Sequence, residues 1–501
     1  MKYISTRNNI SPVSTLEAIK MGMVPQGGLF VPEKIPTISL GELHSWVNLT
    51  YPQLAYNIFK LFLKDDFFDQ EINYLVEQTY HKDNFDIAEI IPLVKLDDQL
   101  FIMELFHGPT GAFKDIALQV LPRILSLVRK KLSIHNQILI LVATSGDTGK
   151  AALEGFKNVE GIQVVVYYPL QKVSKIQELQ MLTTEGDNTH VLALEGSFDD
   201  CQNAVKQIFS DYNFYDYLKQ EGFELSSANS INWGRLFPQI VYYYYAYLHL
   251  LRNKEIRQNE KLNFVVPTGN FGNILAAWYA KEMGLPIEKL ICASNTNKVL
   301  ADFFNSGVYD INRPLVATIS PSMDILISSN LERLLFEISG HQGEFIVKLM
   351  KNLREKKMFI LGESLKNKMG ETIFAGFANE TDTLSTIKSV YHDYHYLVDP
   401  HTAVGIKVFT DYQRLCTPKT KTVITATATP FKFNRAVLTA LTGQDLTYSK
   451  EELVLLQKLG EYSNFRIPAI LKDLDKKPIK KQLICRKDEV QQCLLKILQI
   501  E

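Results

Sequence analysis

Long apolar runs are missing from this chain. A membrane-crossing helix needs about 18 or more consecutive apolar residues. The nearest approach, LFPQIVYYYYAYLHLL (236–251), is shorter and is broken by Pro238, Gln239 and His249, so it reads as a buried helix. Cysteine is scarce. The five residues at 201, 292, 416, 485 and 493 are odd in number and show no C-x-x-C spacing. That argues against a disulfide frame or a zinc site and fits reduced thiols in the cytoplasm. The histidines show no ligand spacing either, so no metal is expected. Neither sign of charge is in excess: the formal net charge is −1. The basic footprint of a nucleic-acid binder and a cationic membrane-facing surface are both absent. The opening residues, MKYISTRNNISPVSTLEAIK, hold no apolar core of a secretory signal. What remains is a chain of 501 residues, 46 % hydrophobic, with 23 Tyr and 28 Phe. Such a chain can bury a large core in two or three domains.

From about 96 to 445 apolar strand patterns alternate with helical ones. Strands are expected at 100–106, 137–145, 162–169, 190–196, 262–269, 289–295 and 421–428. Most are continuous apolar runs, as strands covered on both faces require. The fold class is therefore α/β, built on open parallel sheets. Residues 1–95 look different, with one short extended piece (GLFVPEKIP) and helices, and are expected to form a mainly helical N-terminal domain. Residues 446–501 are expected to be a helical extension, with KDLDKKPIKK (472–481) as a solvated loop.

Ligands in open α/β sheets gather beyond the carboxyl ends of the strands, and four loops there are unusual. HGPTGAFKD (107–115) places a single lysine, Lys114, where a loop turns into a helix. ATSGDTG (143–149) enters the next helix with small residues and hydroxyls, which suits an anion. PTGNFGN (267–273) is another strand, glycine loop and helix. It has neither the GK[ST] of a Walker loop nor a G-x-G-x-x-G, so it signals a phosphate without saying which. SSANSINWGR (226–235) sets Asn229, Ser230, Asn232 and Arg235 at the entry to the tyrosine-rich helix, and an arginine fixed there also suits an anion. One lysine, a phosphate nest after a different strand and no metal ligands describe a site for pyridoxal phosphate, an aldehyde cofactor held by a Schiff-base lysine.

HGPTGAFKD, SGDTG, NSINWGR, PTGNFGNILAAWYAKEMGLP and DPHTAVG (399–405), in that order, resemble the threonine synthase family, in particular its enterobacterial and fungal branch. The N-terminal YISTRNN…GMVPQGGLFVPEKIP is similar too, so the resemblance runs from about residue 2 to about 440. It implies the fold type II, tryptophan synthase β-like architecture and conversion of O-phosphohomoserine and water to threonine and phosphate, in a cytoplasmic monomer or homodimer. By resemblance Lys114 is the Schiff-base lysine and proton shuttle. Gly269, Asn270, Phe271, Gly272 and Asn273 hold the cofactor phosphate, and Thr427 meets the pyridine nitrogen. Ser145, Gly146, Asp147, Thr148 and Gly149 clasp the substrate carboxylate. Asn229, Ser230, Asn232 and Arg235 hold the substrate phosphate. The family's T-A-H-P-A-K-F is here TATPFKF (427–433), with Thr429 for the His and Phe431 for the Ala. That departure keeps open a phospho-lyase relative yielding 2-oxobutyrate. A PLP-binding protein without catalysis is the third reading, opposed by the intact Lys114 and nest.

Overall fold

A computed structural model describes residues 1–144, 146–416, 419–446, 452–480 and 482–500. Two sheets carry the fold. One has six strands in the order Ile373–Phe377, Ile287–Ser294, Leu262–Pro267, Thr422–Ala426, Leu100–Glu104 and Leu93–Lys95. Its neighbours run parallel except the last pair. The other has five parallel strands, Leu483–Cys485, Thr189–Leu194, Ile162–Pro169, Gln137–Ala143 and Phe223–Ser226. Leu262–Pro267 and Thr422–Ala426 are buried along their whole length. Every strand expected between 100 and 428 is present, with its ends at or within two residues of those expected.

The N-terminal region holds a small antiparallel sheet (Val13–Ser14, Lys2–Ser5, Phe30–Pro32) and four helices. The helix Thr15–Met21 starts on a capping box between Ser14 and Glu17. In Tyr51–Leu63 the apolar residues Leu54, Ile58, Phe59 and Phe62 line one face. That face packs behind the site: Phe59 lies 4.9 Å from Phe237 and Phe62 5.8 Å from Trp233, ring to ring. The region therefore shares one continuous core with the tyrosine-rich helix Ile240–Arg252. Leu93–Lys95 already belongs to the six-stranded sheet.

The C-terminal segment is not purely helical. Between the helices Glu452–Ser463 and Val490–Leu498 it supplies the edge strand Leu483–Cys485, paired with Thr189–Leu194. Its three residues, flanked by lysine and arginine, are too few to show a period. Nor is 472–481 simply solvated. Lys480 Nζ donates to the Thr189 carbonyl at 2.9 Å and contacts Gly186, and Leu474 is buried. Lys481 lies outside the described residues.

One close approach sets up the site. A Cβ at Gly155 would sit 1.9 Å from the Leu118 carbonyl oxygen. Glycine there lets the helices Lys114–Leu118 and Asp147–Phe156 pack backbone to backbone.

Candidate active site

Lys114 opens a short helix in the loop after Leu100–Glu104. The loop is held from below. Thr110 donates its amide and hydroxyl to the Asp115 carboxylate at 2.9 and 2.7 Å. The Phe113 amide donates to the Thr427 carbonyl at 2.9 Å, and the Thr429 amide to that of Gly111 at 3.0 Å. Gly108 has room for nothing larger, since a Cβ would lie 2.4 Å from the Asp115 side chain.

Three charged side chains from three loops meet here. The Asp147 carboxylate lies 3.5 Å from Lys114 Nζ through one oxygen and 2.6 Å from Lys432 Nζ through the other. Gln177 Nε2 donates to it at 2.9 Å, and Lys432 also donates to the Thr110 carbonyl at 3.1 Å. Burial opposes the charge on Asp147, but Lys432 and Lys114 overcome that and hold its carboxyl below the usual range. Burial pushes the Lys114 amine below its ordinary value; Asp147 opposes the shift, and Lys432 and Arg235 add to it. A lysine so placed has free-base character that an exposed one lacks.

The loop 269–273 is shaped for an anion. Phe271 takes a left-handed backbone (φ 63°) at the start of the helix Gly272–Glu282, and no side chain caps that helix. No amide of 269–271 donates to a backbone carbonyl among the described residues. Such free N–H groups favour negative charge. The loop is braced by Ser328 Oγ, which donates to the Gly269 carbonyl at 2.7 Å, and by Asn330 Nδ2, which donates to that of Asn270 at 2.9 Å. Tyr242 and Tyr243 both donate to Asn273 Oδ1, the latter at 2.6 Å. That fixes the amide's orientation and leaves Asn273 Nδ2 buried without a partner.

Arg235 is 3 % exposed. One of its N–H groups donates to the Ala228 carbonyl at 2.6 Å, while Nε is buried and unpartnered. Burial lowers its pKa to about 10, with Asp115 opposing, so it stays charged at neutral pH. Ser230 is tied to the nest: Asn330 Nδ2 reaches its hydroxyl at 3.4 Å as well as Asn270. The loops bearing Lys114, Asp147, Arg235, Asn273 and Thr427 thus converge.

One expectation needs correction. Asn232 does not offer its side chain to a ligand. Nδ2 donates to the carbonyls of Ile19 and Ser227, and Oδ1 caps Gly234 N, so it anchors the helix entry to the N-terminal region. In the 146–149 stretch the Gly146 and Gly149 amides both donate to the Thr144 hydroxyl. Thr144, one position upstream of 145, thus satisfies two amides of the loop. Asp147 and Thr148 open the helix Asp147–Phe156; Ser145 lies outside the described residues. Gln177, Asn330 and the paired tyrosine hydroxyls had no local signal in the sequence, each being an ordinary polar residue on a helix or beside one.

A cleft of about 270 Å³ beside the nest is lined by Arg7, Ile231, Ser328 and Glu332 among others. A larger hollow of about 610 Å³, lined by Glu17, Lys20, His135 and Glu224, contains none of the candidate residues. Neither hollow contains the candidate residues; what marks the site is the convergence of charge.

Comparison with known proteins agrees with this geometry. Residues 2–80 match the family model for the threonine synthase N terminus, 88–364 that for pyridoxal-phosphate dependent enzymes, and 402–492 that for the threonine synthase C-terminal region. The threonine synthase of Pseudomonas aeruginosa is 38 % identical over 445 residues, covering 89 % of this chain and 91 % of that one. Threonine synthase-like 1 of Homo sapiens is 40 % identical over 92 % of this chain but 63 % of its own length. The crystal structure of PLP-bound threonine synthase from Brucella melitensis superposes with a TM-score of 0.87 at 35 % identity, and that of the yeast enzyme with 0.88 at 34 %, each over 99 % of both chains. The residues present fit pyridoxal phosphate: an uncapped helix start for its phosphate, an orphaned amide at Asn273 and a buried lysine of lowered basicity.

Proposed function

The chain belongs to the threonine synthase family, and from that premise we propose that it converts O-phosphohomoserine and water to threonine and phosphate with Lys114 as the moving base. The observation that carries the residue assignment is the buried Lys114 amine, 3.5 Å from Asp147 and of lowered basicity.

Pyridoxal phosphate, when bound, supplies an electron sink for charge at the substrate α carbon. Gly269, Asn270, Phe271, Gly272 and Asn273 would hold its phosphate, and the Thr427 hydroxyl would face its ring nitrogen. A hydroxyl there does not enforce a full positive charge as a carboxylate would, which suits chemistry at the β carbon and beyond. Lys114 takes protons from the α and β carbons as phosphate leaves from γ, then returns one to the γ carbon and, once water has added at β, one to the α carbon. Arg235 and Ser230 grip the phosphate, with Asn229 beside them; the unpartnered Arg235 Nε is a donor awaiting an acceptor. Asp147 and Thr148 border the substrate's carboxylate end. Five unpaired cysteines and the absence of any membrane-length apolar helix among the described residues agree with a cytoplasmic place.

Product analysis with O-phosphohomoserine tests the reading. Threonine and phosphate in equal amounts are expected. Phosphate with 2-oxobutyrate and ammonia would mean the phospho-lyase outcome, and no turnover would mean a binding protein.

A further inference from the structure

Lys432 is the feature that the reaction as described does not use. It sits in the turn Pro430–Phe433, after the strand Thr422–Ala426. Its side chain is 0 % exposed. Burying a second ammonium beside Lys114 is costly unless it is tightly paired. It is: Asp147 lies at 2.6 Å on one side and the Thr110 carbonyl at 3.1 Å on the other.

The two lysines share one carboxylate unequally. Asp147 gives its hydrogen-bonding oxygen to Lys432 and stands 3.5 Å from Lys114. The same oxygen accepts from Gln177, which packs so closely that a Cβ on Gly146 would lie 2.5 Å from it. The carboxylate is therefore pinned towards Lys432 and cannot close on Lys114 without breaking two contacts. Around Lys114 the other charges are Arg235, and Asp115 beneath the loop. Asp115 is not free to compensate: it accepts twice from Thr110, and burial raises its pKa to about 6.

We propose that Lys432 is a positioning residue that acts through Asp147, holding that carboxylate towards itself so that it does not close a tight ion pair on the Lys114 amine. The proposal rests on Lys114 being the reactive lysine. The two lysines are set apart by which oxygen of Asp147 each faces and at what distance. Lys432 also ties three loops together.

The test reads that titration directly. Full-length protein stripped of cofactor is labelled competitively with acetic anhydride across pH, and mass spectrometry follows the Lys114 peptide. In K432M, Asp147 loses its tight partner and turns to Lys114, whose midpoint should rise by about 1 pH unit or more. In D147N the counter-charge is gone and two cations still face Lys114, so the midpoint should fall. K432R keeps the charge and should stay near wild type. Unchanged midpoints, or shifts of the same sign in K432M and D147N, would overturn the proposal. If D147N does not fold, K432M against K432R decides: a rise with Met that is absent with Arg supports it, and equal behaviour overturns it. Borohydride reduction of the wild-type holoenzyme guards the premise. A pyridoxyl label on a lysine other than Lys114 would sink the reading of the site, whatever the midpoints do.

Discussion

Replacing Arg235 by alanine removes a buried guanidinium that the protein itself leaves half-used. One N–H is committed to the Ala228 carbonyl, and Nε has no partner. A substrate phosphate taking two charge-assisted hydrogen bonds from the free side would gain about 1.5–3 kcal/mol from each. Losing both costs about 3–6 kcal/mol, or roughly 10²–10⁴ in kcat/KM at about 1.4 kcal/mol per decade. The lost tie to Ala228 loosens the helix entry too, but it affects every substrate alike. The assay therefore compares two substrates: O-phosphohomoserine, and serine or threonine in slow cofactor-dependent side reactions. The first should fall by the full factor and the second by less than about tenfold. Arg235→Lys should recover part of the loss, since a point charge cannot pair two oxygens as a planar fork does. Equal losses on both substrates would refute the reasoning and make Arg235 a structural residue of the helix entry.

His107, between Asp86 and Glu104 at 2.7 Å each, offers a pH test. Burial works against its charge, yet the two carboxylates raise its pKa from 6.5 to about 9. Its stabilisation is complete below about 6.5 and is lost as pH rises through about 9. With Asp86 largely exposed, that pair contributes about 1 kcal/mol; the gap in Tm between wild type and Asp86→Asn should narrow from pH 6 to pH 10, and a constant gap would contradict the pairing. Thr427→Val preserves volume but removes a hydroxyl, and one lost buried hydrogen bond of about 1–3 kcal/mol predicts a roughly ten- to hundredfold drop in turnover with an altered visible spectrum; an unchanged enzyme would mean that another residue, such as Thr429, faces the ring. Replacing both Tyr242 and Tyr243 with Phe frees the Asn273 amide to rotate, so affinity for added pyridoxal phosphate, followed by fluorescence titration, should weaken about tenfold or more, whereas unchanged affinity would show that the orientation of that amide does not matter.

The sequence carried the parallel strands well because they are buried on both faces, and burial on both faces writes a continuous apolar run. Leu483–Cys485 was hidden because it has three residues and borrows its stability from the strand beside it. Phe223–Ser226 was hidden by its glutamate and serine, and Ile373–Phe377 by the Ala-Gly at its centre, which break the apolar run. At the site, the loops could be read because glycine, threonine and a lone lysine at strand ends have few other uses. How they connect could not be read. Thr144 silences two amides of its own loop, and Asn232 turns inward to Ile19 at 3.0 Å. Lys432 could be read as a position that TATPFKF keeps from the family's T-A-H-P-A-K-F, but not its partner, Asp147, 285 positions away in the chain.

Borohydride reduction of the purified holoenzyme, followed by peptide mapping, bears most directly on the claim that Lys114 is the reactive group. The account predicts a yellow protein bleached by the reagent, with the pyridoxyl mass on the peptide bearing Lys114 alone. It also predicts that Lys114→Ala takes up pyridoxal phosphate through the 269–273 nest without forming a reducible bond. A label on Lys432, or a reducible bond that survives in Lys114→Ala, would contradict it.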